Sequence, residues 1–391
     1  MRWADCALLS AGAILPVVVA FSNALAEIAA TSLCVALFIR VILQRPHWSG
    51  GWTFALLVGV WLAACLISTA FALEPDRAFR AFSNKTFEYA LVALAMSLLG
   101  RHEDRLRVIL RTLAWAGLVF SFDGLIQWKF GHDLFRWHTP WASRITGPMG
   151  NPNNFATYLV IVIPIQLWAM VDRPGRSRIL LGLGVVLGVV SLVLTDSGAA
   201  WLIFSLNLLL CAVLMRRTAV LAYFPLLVIG LWWLGELPSL ASTFSLSPGR
   251  LEGWMVAWQM FLDHPVAGIG LGGFMEQYMR YLPAGVGGTW PRPQYAHNCY
   301  LQLLAEGGVI GLGAFLLMVG WVLVLAVRRL KDAQSASRSP LSGLLVSLIA
   351  FLVGIIFDTG LYSLPIALLF WSLLGLAAGW IGNEENITRP S

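Results

Sequence analysis

The chain has 391 residues, 58% of them hydrophobic and only 12% charged, with a formal net charge of +6. Soluble proteins carry roughly a quarter charged residues, so this composition excludes a water-soluble enzyme and points to an integral membrane protein. The basic excess follows the loops and is a topology signal; it gives no reason to expect a nucleic-acid partner.

In chain order, apolar runs close to the length of a bilayer crossing occupy residues 5–22, 24–43, 52–72, 84–100, 107–127, 153–172, 179–196, 199–215, 218–235, 298–327, 341–358 and 362–382. An all-α polytopic membrane protein with about twelve transmembrane helices is therefore expected, since barrel strands would alternate over about ten residues. The first run follows Arg2 and ends near Ala24-Leu25-Ala26, which imitates a signal peptide; it is read as a retained anchor span. Trp48, Trp52, Trp137, Trp141 and Trp380 lie near span ends, where interfacial aromatics collect. Arg101/Arg105/Arg107, Arg173/Arg176/Arg178, Arg216/Arg217 and Arg328/Arg329/Lys331/Arg338 fall in alternate loops, which places the N-terminus in the cytoplasm. The five cysteines have no CxxC or Cys/His spacing and read as small buried hydrophobes.

Two extracytoplasmic connections, 128–152 and 236–297, are too long to be turns, and the larger lies between helices 9 and 10. Within it "SPGRLEGWMVAWQMFLDHP" predicts an amphipathic helix near 248–263, opened by Ser247-Pro248. Leu251, Trp254, Met255, Trp258 and Phe261/Leu262 form its apolar stripe, suited to lying on the membrane face or capping the bundle. In the following "GIGLGGF", Gly268, Gly270 and Gly273 formally fit GxGxxG, but no strand precedes them. A tight turn with close backbone packing is the reading.

The polar residues of this side form a pattern. His297-Asn298 open the span that begins "AHNCYLQLLAEGG", and Arg250 opens the amphipathic helix. Arg144 precedes Asn151-Pro152-Asn153-Asn154, and Arg77, Arg80, Lys85 and Glu88 cluster around the start of the fourth span. Each has a structural explanation: Asn-Pro is a helix start, arginines snorkel, and Lys85 is placed to pair with Glu88. Glu27, Glu88 and Asp358 stand in apolar surroundings, where charge is expensive. Taken together, several guanidiniums, two helix N-termini and an imidazole suit an anion, and pyrophosphate fits them well. A neutral imidazole there can serve as general base. No extracytoplasmic DxD or His/carboxylate cluster offers a metal site, and no GxSxG or SxxK suggests acyl transfer. The expected chemistry needs no metal or cofactor, and it requires a good leaving group such as a lipid pyrophosphate.

Three stretches, "GPMGNPNNFATYLVIVIPI", "GRLEGWMVAWQMFLDHPVAGIGLGGF" and "YAHNCYLQLLAEGGVIGLGAFLLM", together resemble the O-antigen ligase family over roughly residues 145–325. That family shares its domain with O-antigen polymerases and bacterial protein O-oligosaccharyltransferases. The resemblance implies a GT-C-type helical fold in the bacterial inner membrane with its site facing the periplasm. It implies inverting transfer of a glycan from undecaprenyl pyrophosphate to a lipid A–core sugar hydroxyl. By the same resemblance His297 matches the histidine that activates the acceptor, and Arg250 matches an arginine that holds the pyrophosphate. Arg80, Lys85 and Arg144 join it as basic groups, with Asn298, Asn151, Asn154, Arg280 and Arg292 in support. The family's Ser-Arg-Gly turn reads here Thr195-Asp196-Ser197-Gly198, so Gly198 stands in the place of an arginine. Arg144, Arg280 or Arg292 is expected to substitute, or the activity is impaired or altered. Polymerase and protein glycosylation are the alternatives within this class, and an assembly-organising pseudoenzyme is a third possibility. The rival from another class is a small-anion transporter built on Glu27, Glu88 and Asp358. It would require inverted repeats and broken helices, of which the sequence displays none.

Overall fold

The computed structural model describes residues 2–44, 52–172, 175–233, 248–282, 295–332 and 339–383. Trp48, Ser247, Arg292 and Arg338 lie outside them. Among the described residues the chain is helical without a strand, and every apolar run read from the sequence corresponds to a helix. These are α1 (Arg2–Val18), α2 (Asn23–Gln44), α3 (Trp52–Ala70), the short α4 (Pro75–Ala81), α5 (Phe87–Gly100), α6 (Glu103–Phe130), α7 (Pro152–Asp172) and α8 (Arg176–Leu194). There follow α9 (Gly198–Leu214), α10 (Phe224–Trp233), α11 (Pro248–Asp263), α12 (Phe274–Tyr281), α13 (Cys299–Asp332), α14 (Pro340–Gly354) and α15 (Leu364–Ile381). Among the described residues, seven are long and apolar enough to cross a bilayer and four more are shorter apolar helices. The protein is an all-α polytopic membrane protein.

The centre of the bundle is α7, α14 and α15, whose side chains are almost all buried. Helix α15 lies so close to α5 that added methyls at Gly375 and Gly379 would stand 2.2 Å from Ala93 O and 1.9 Å from Ser97 O. The GxxxG spacing of this pair is the small-residue seam that lets two helices touch backbone to backbone, where apolar burial gives no drive in lipid. Helices α1, α2 and α3 are peripheral and expose apolar side chains such as Phe38, Ile42 and Leu56. Trp52, Trp137 and Trp141 are exposed as an interfacial belt requires, whereas Trp380 is buried in the core and does not belong to it. Cys65, Cys211 and Cys299 are buried free thiols, but Cys6 is exposed.

Helix α11 buries Glu252, Gly253, Val256, Ala257 and Met260, while Leu251, Met255, Trp258 and Leu262 are exposed. The stripe read from the sequence is thus the outward face, apolar as a helix lying at the membrane interface needs.

Helix α13 is not continuous. Gly308 has φ 61° and ψ −165°, which separates a short leading helix from the long remainder. The turn after α11 fills the break. Ile269 N donates to Ala305 O at 2.9 Å and Gly270 N to Glu306 O at 3.1 Å, while Val309 N donates to Pro265 O at 2.9 Å. Ser68 Oγ adds a bond to Glu306 O at 2.6 Å. A break inside a membrane helix exposes backbone groups that must find partners, and the glycine turn supplies them. Only glycine fits: a methyl on Gly308 would stand 2.1 Å from Val266 O, and one on Gly268 2.3 Å from Glu306 C. One helix is therefore broken, contrary to the expectation of none. Its freed groups are met by the backbone of the turn and by Ser68 Oγ.

Candidate active site

Asn298 caps the leading segment of α13: its Oδ1 accepts from Tyr300 N at 3.0 Å and Leu301 N at 3.1 Å. Asn151 does the same for α7, accepting from Asn153 N at 2.9 Å and Asn154 N at 3.2 Å. Both amides are committed to helix starts, which is the function their sequence context suggests. His297 precedes the first cap in a left-handed conformation with φ 52°, which is uncommon for a residue with a Cβ. Its neighbour Ala296 is tied down by N–H donation to Gln302 Oε1 at 2.7 Å. The imidazole is 39% exposed, and its Nδ1 stands 3.9 Å from Asp358 Oδ1, on the loop after α14. That separation is an ion-pair contact, longer than a hydrogen bond. It turns Nδ1 toward the carboxylate.

The arginines come in from two directions. Gly253 of α11 packs on Ala296, where an added methyl would stand 3.4 Å from Ala296 Cα. Arg250, three residues earlier, lies one turn away on that face. Among the described residues it has no hydrogen-bond acceptor or ion-pair partner. Arg144 reaches across to the turn after α8, donating from Nε to Thr195 O at 2.7 Å and from Nη2 to Asn153 Oδ1 at 2.8 Å. Burial lowers the Arg144 pKa, Asp196 and Asp358 raise it, and the charge of Arg250 lowers it further. Arg144, Arg250, Asp196 and Asp358 thus share one field beside His297. Nothing in the sequence pairs Asp358 with His297. In sequence it looked like one more membrane-embedded charge, and only the folding of α14 toward α13 gives it a partner.

A cavity of about 670 Å³ adjoins this cluster and is lined by Arg77, Arg80, Lys85, Tyr295, Glu306 and Tyr362, with Trp61, Phe315 and Trp371 deeper. Its basic wall comes from α4 and the π-helical turn Phe82–Thr86 that follows it. Arg77 is engaged by Glu276 at 2.5 Å and Gly272 O at 2.8 Å. Lys85 pairs with Glu27 of α2 at 2.8 Å, so the local Lys85–Glu88 pair expected from spacing is replaced by a contact between helices. Arg80 is exposed toward the cavity without a described partner. Glu306 is buried and accepts from Gln302 Nε2 at 2.8 Å and Tyr362 OH at 3.2 Å. Tyr295 and Tyr362 face one another with ring centroids 5.2 Å apart. Burial, and then the charge of Glu306, push both hydroxyls above the ordinary tyrosine range; Arg77 opposes this at Tyr295. Both remain protonated and able to donate.

The structure thus brings His297, Asn298, Arg250 and Arg144 to one region and puts Arg80 and Lys85 on the cavity wall beside it. Asn151 serves as a cap, and Asn154 is half-buried one residue beyond Asn153. Arg280 is exposed on α12, its guanidinium 5.8 Å from the Tyr281 ring; it is not part of the cluster.

The family model described as O-antigen ligase matches residues 183–316. Residues 183–316 carry the O-antigen ligase domain. That domain is shared by O-antigen ligases, polymerases and oligosaccharyltransferases, glycosyltransferase-like enzymes of membranes. The match takes in the later part of α8, the turn at Gly198, Arg250, His297 and the break at Gly308. Arg144, Arg80, Lys85 and Asp358 fall outside it. No curated protein matches the chain.

Proposed function

We propose that this O-antigen ligase-domain protein transfers a glycan from undecaprenyl pyrophosphate to a sugar hydroxyl of lipid A–core, at the periplasmic face of the bacterial inner membrane. The observation that carries this reading is His297 facing Asp358 within the field of Arg144 and Arg250, beside a basic cavity. The acceptor hydroxyl gives its proton to Nε2 of His297 as its oxygen bonds to the anomeric carbon. The bond from that carbon to the pyrophosphate oxygen breaks, and the leaving group keeps the electron pair. A single displacement inverts the anomeric centre. Asp358 faces Nδ1 and its charge stabilises the imidazolium that forms, the electrostatic part of what a catalytic-triad carboxylate does. Arg250 and Arg144 neutralise the charge growing on the departing pyrophosphate, and the cavity from Arg80 and Lys85 to Trp61 and Trp371 takes the head of the lipid donor. No metal or cofactor has a step in this scheme.

Arg144 is the substitute for the arginine missing at Gly198. Its guanidinium is bonded to Thr195 O, in the same turn, whereas Arg280 lies over Tyr281.

The lipopolysaccharide ladder of a deletion strain tests the reading. Core lipid without long chains, with lipid-linked polymer accumulating, is the result expected of a ligase. Core bearing one repeat would instead make the protein a polymerase, the second activity of this shared domain. Complementation with His297→Ala is expected to leave the ladder unrestored, and a restored ladder would sink the histidine's role. Anion uptake in liposomes, with an unchanged ladder in the deletion strain, would favour the transporter.

A further inference from the structure

At the opposite end of the bundle from His297, the beginnings of α1 and α6 meet the ends of α2 and α5. Arg40 Nη1 stands 3.3 Å from Asp5 Oδ1, and Arg105 Nη1 stands 3.8 Å from the same oxygen. Neither contact is a hydrogen bond: Arg40 Nε and Nη1, Arg105 Nη1 and Asp5 Oδ1 are all buried without a hydrogen-bond partner among the described residues. Arg101 adds a third guanidinium, its pKa lowered by burial and then by the charge of Arg40. Arg40 and Arg105 thus share one carboxylate, with the charge of Arg101 bearing on Arg40. Buried guanidinium N–H groups without acceptors are costly, and their forks suit the oxygens of a phosphate.

We infer that this cluster is a binding site for the phosphate headgroup of an anionic phospholipid. The source of the phosphate is read from α2, whose Phe38, Ile39 and Ile42 are exposed in the turn around Arg40. A lipid seated there lays its acyl chains along that apolar face while its phosphate meets Arg40 and Arg105. Basic pockets between helices at the cytoplasmic surface hold anionic headgroups in this way. The site is independent of the glycan-transfer reading.

Native mass spectrometry of the full chain in detergent, with added phosphatidylglycerol, phosphatidylcholine or inorganic phosphate, is the test. Phosphatidylglycerol is expected to remain bound and phosphatidylcholine to be lost. Arg40→Gln/Arg105→Gln is expected to weaken phosphatidylglycerol binding by roughly thirtyfold, about fivefold per guanidinium, while Arg217→Gln, at an exposed position, leaves it unchanged. Asp5→Asn removes the competing carboxylate and is expected to tighten binding, a gain that misfolding does not imitate. Equal retention of both lipids, or binding unaffected by the double variant, overturns the proposal. Inorganic phosphate bound as tightly as phosphatidylglycerol overturns the lipid assignment in favour of a soluble anion.

Discussion

At the scale of single residues, the site depends on which groups are already satisfied and which are not. Arg77 and Lys85 have carboxylate partners, so the positive charge left for a ligand is concentrated on Arg250 and Arg80. Asp358 is the residue through which this site makes its sharpest prediction. Asp358→Asn keeps the shape and removes the charge facing Nδ1, so transfer in membranes is expected to fall by on the order of 10²-fold or more with donor binding little changed. An unaltered rate would leave the carboxylate as loop structure only. Arg144→Ala removes one electrostatic donor and is expected to cost about 10²–10³-fold in rate; full activity would return the missing arginine at Gly198 to an open question. Asn298→Ala should act differently, through about 1 kcal/mol of lost cap, seen as a lower melting temperature.

At the scale of elements, the helices were legible and their interruption was not. Run length and apolar composition locate the helices, seven of them long enough to cross a bilayer among the described residues, and Asn-Pro and His-Asn mark the starts of α7 and α13. Gly307-Gly308 reads equally well as a packing face or as a break, because the deciding partner, the turn Pro265–Gly270, is distant in sequence. The same limit applies to Lys85. Spacing along one helix favours Glu88, whereas the fold offers Glu27 from a neighbouring helix. Buried Glu306 was visible as a charge in an apolar run, but its contacts with Tyr362 and Gln302 depend on loops that no periodicity reports. Gly308→Ala tests the break. Its methyl would collide with Val266 O and force a positive φ, so a loss of about 1–3 kcal/mol or more is expected. Melting of the purified variant in detergent measures it, and an unchanged melting temperature would mean that the turn yields freely.

At the scale of the whole molecule, the buried glycines of α15 make the bundle intolerant of bulk at one seam. Gly375→Leu is expected to abolish the accumulation of folded protein in the membrane, as judged by fluorescence-detected size exclusion, because Ala93 backbone occupies the space the side chain needs. A monodisperse, abundant variant would refute the tight seam. Orientation is open to direct measurement as well. In a cysteine-free background, Trp137→Cys is expected to react with an impermeant maleimide in intact cells, and Arg217→Cys only after the membrane is opened; the reverse pattern would invert every side assignment made from Lys and Arg.

The broken helix has a mechanical consequence. Because α13 is interrupted at Gly308, the short piece whose N-terminal cap adjoins His297 and the long shaft behind it are both bonded to the turn Pro265–Gly270. Arg250, at the start of α11, and the imidazole are therefore carried on parts that share one backbone clasp. In the proposed mechanism, a sugar or lipid headgroup that pushes on α11 would reach His297 through that clasp. On that proposal, acceptor arrival and alignment of the proton-accepting nitrogen would be one event, like a key turning the tumbler it touches. A disulfide fastening α11 to the long part of α13 would separate them, leaving donor binding intact while transfer stops.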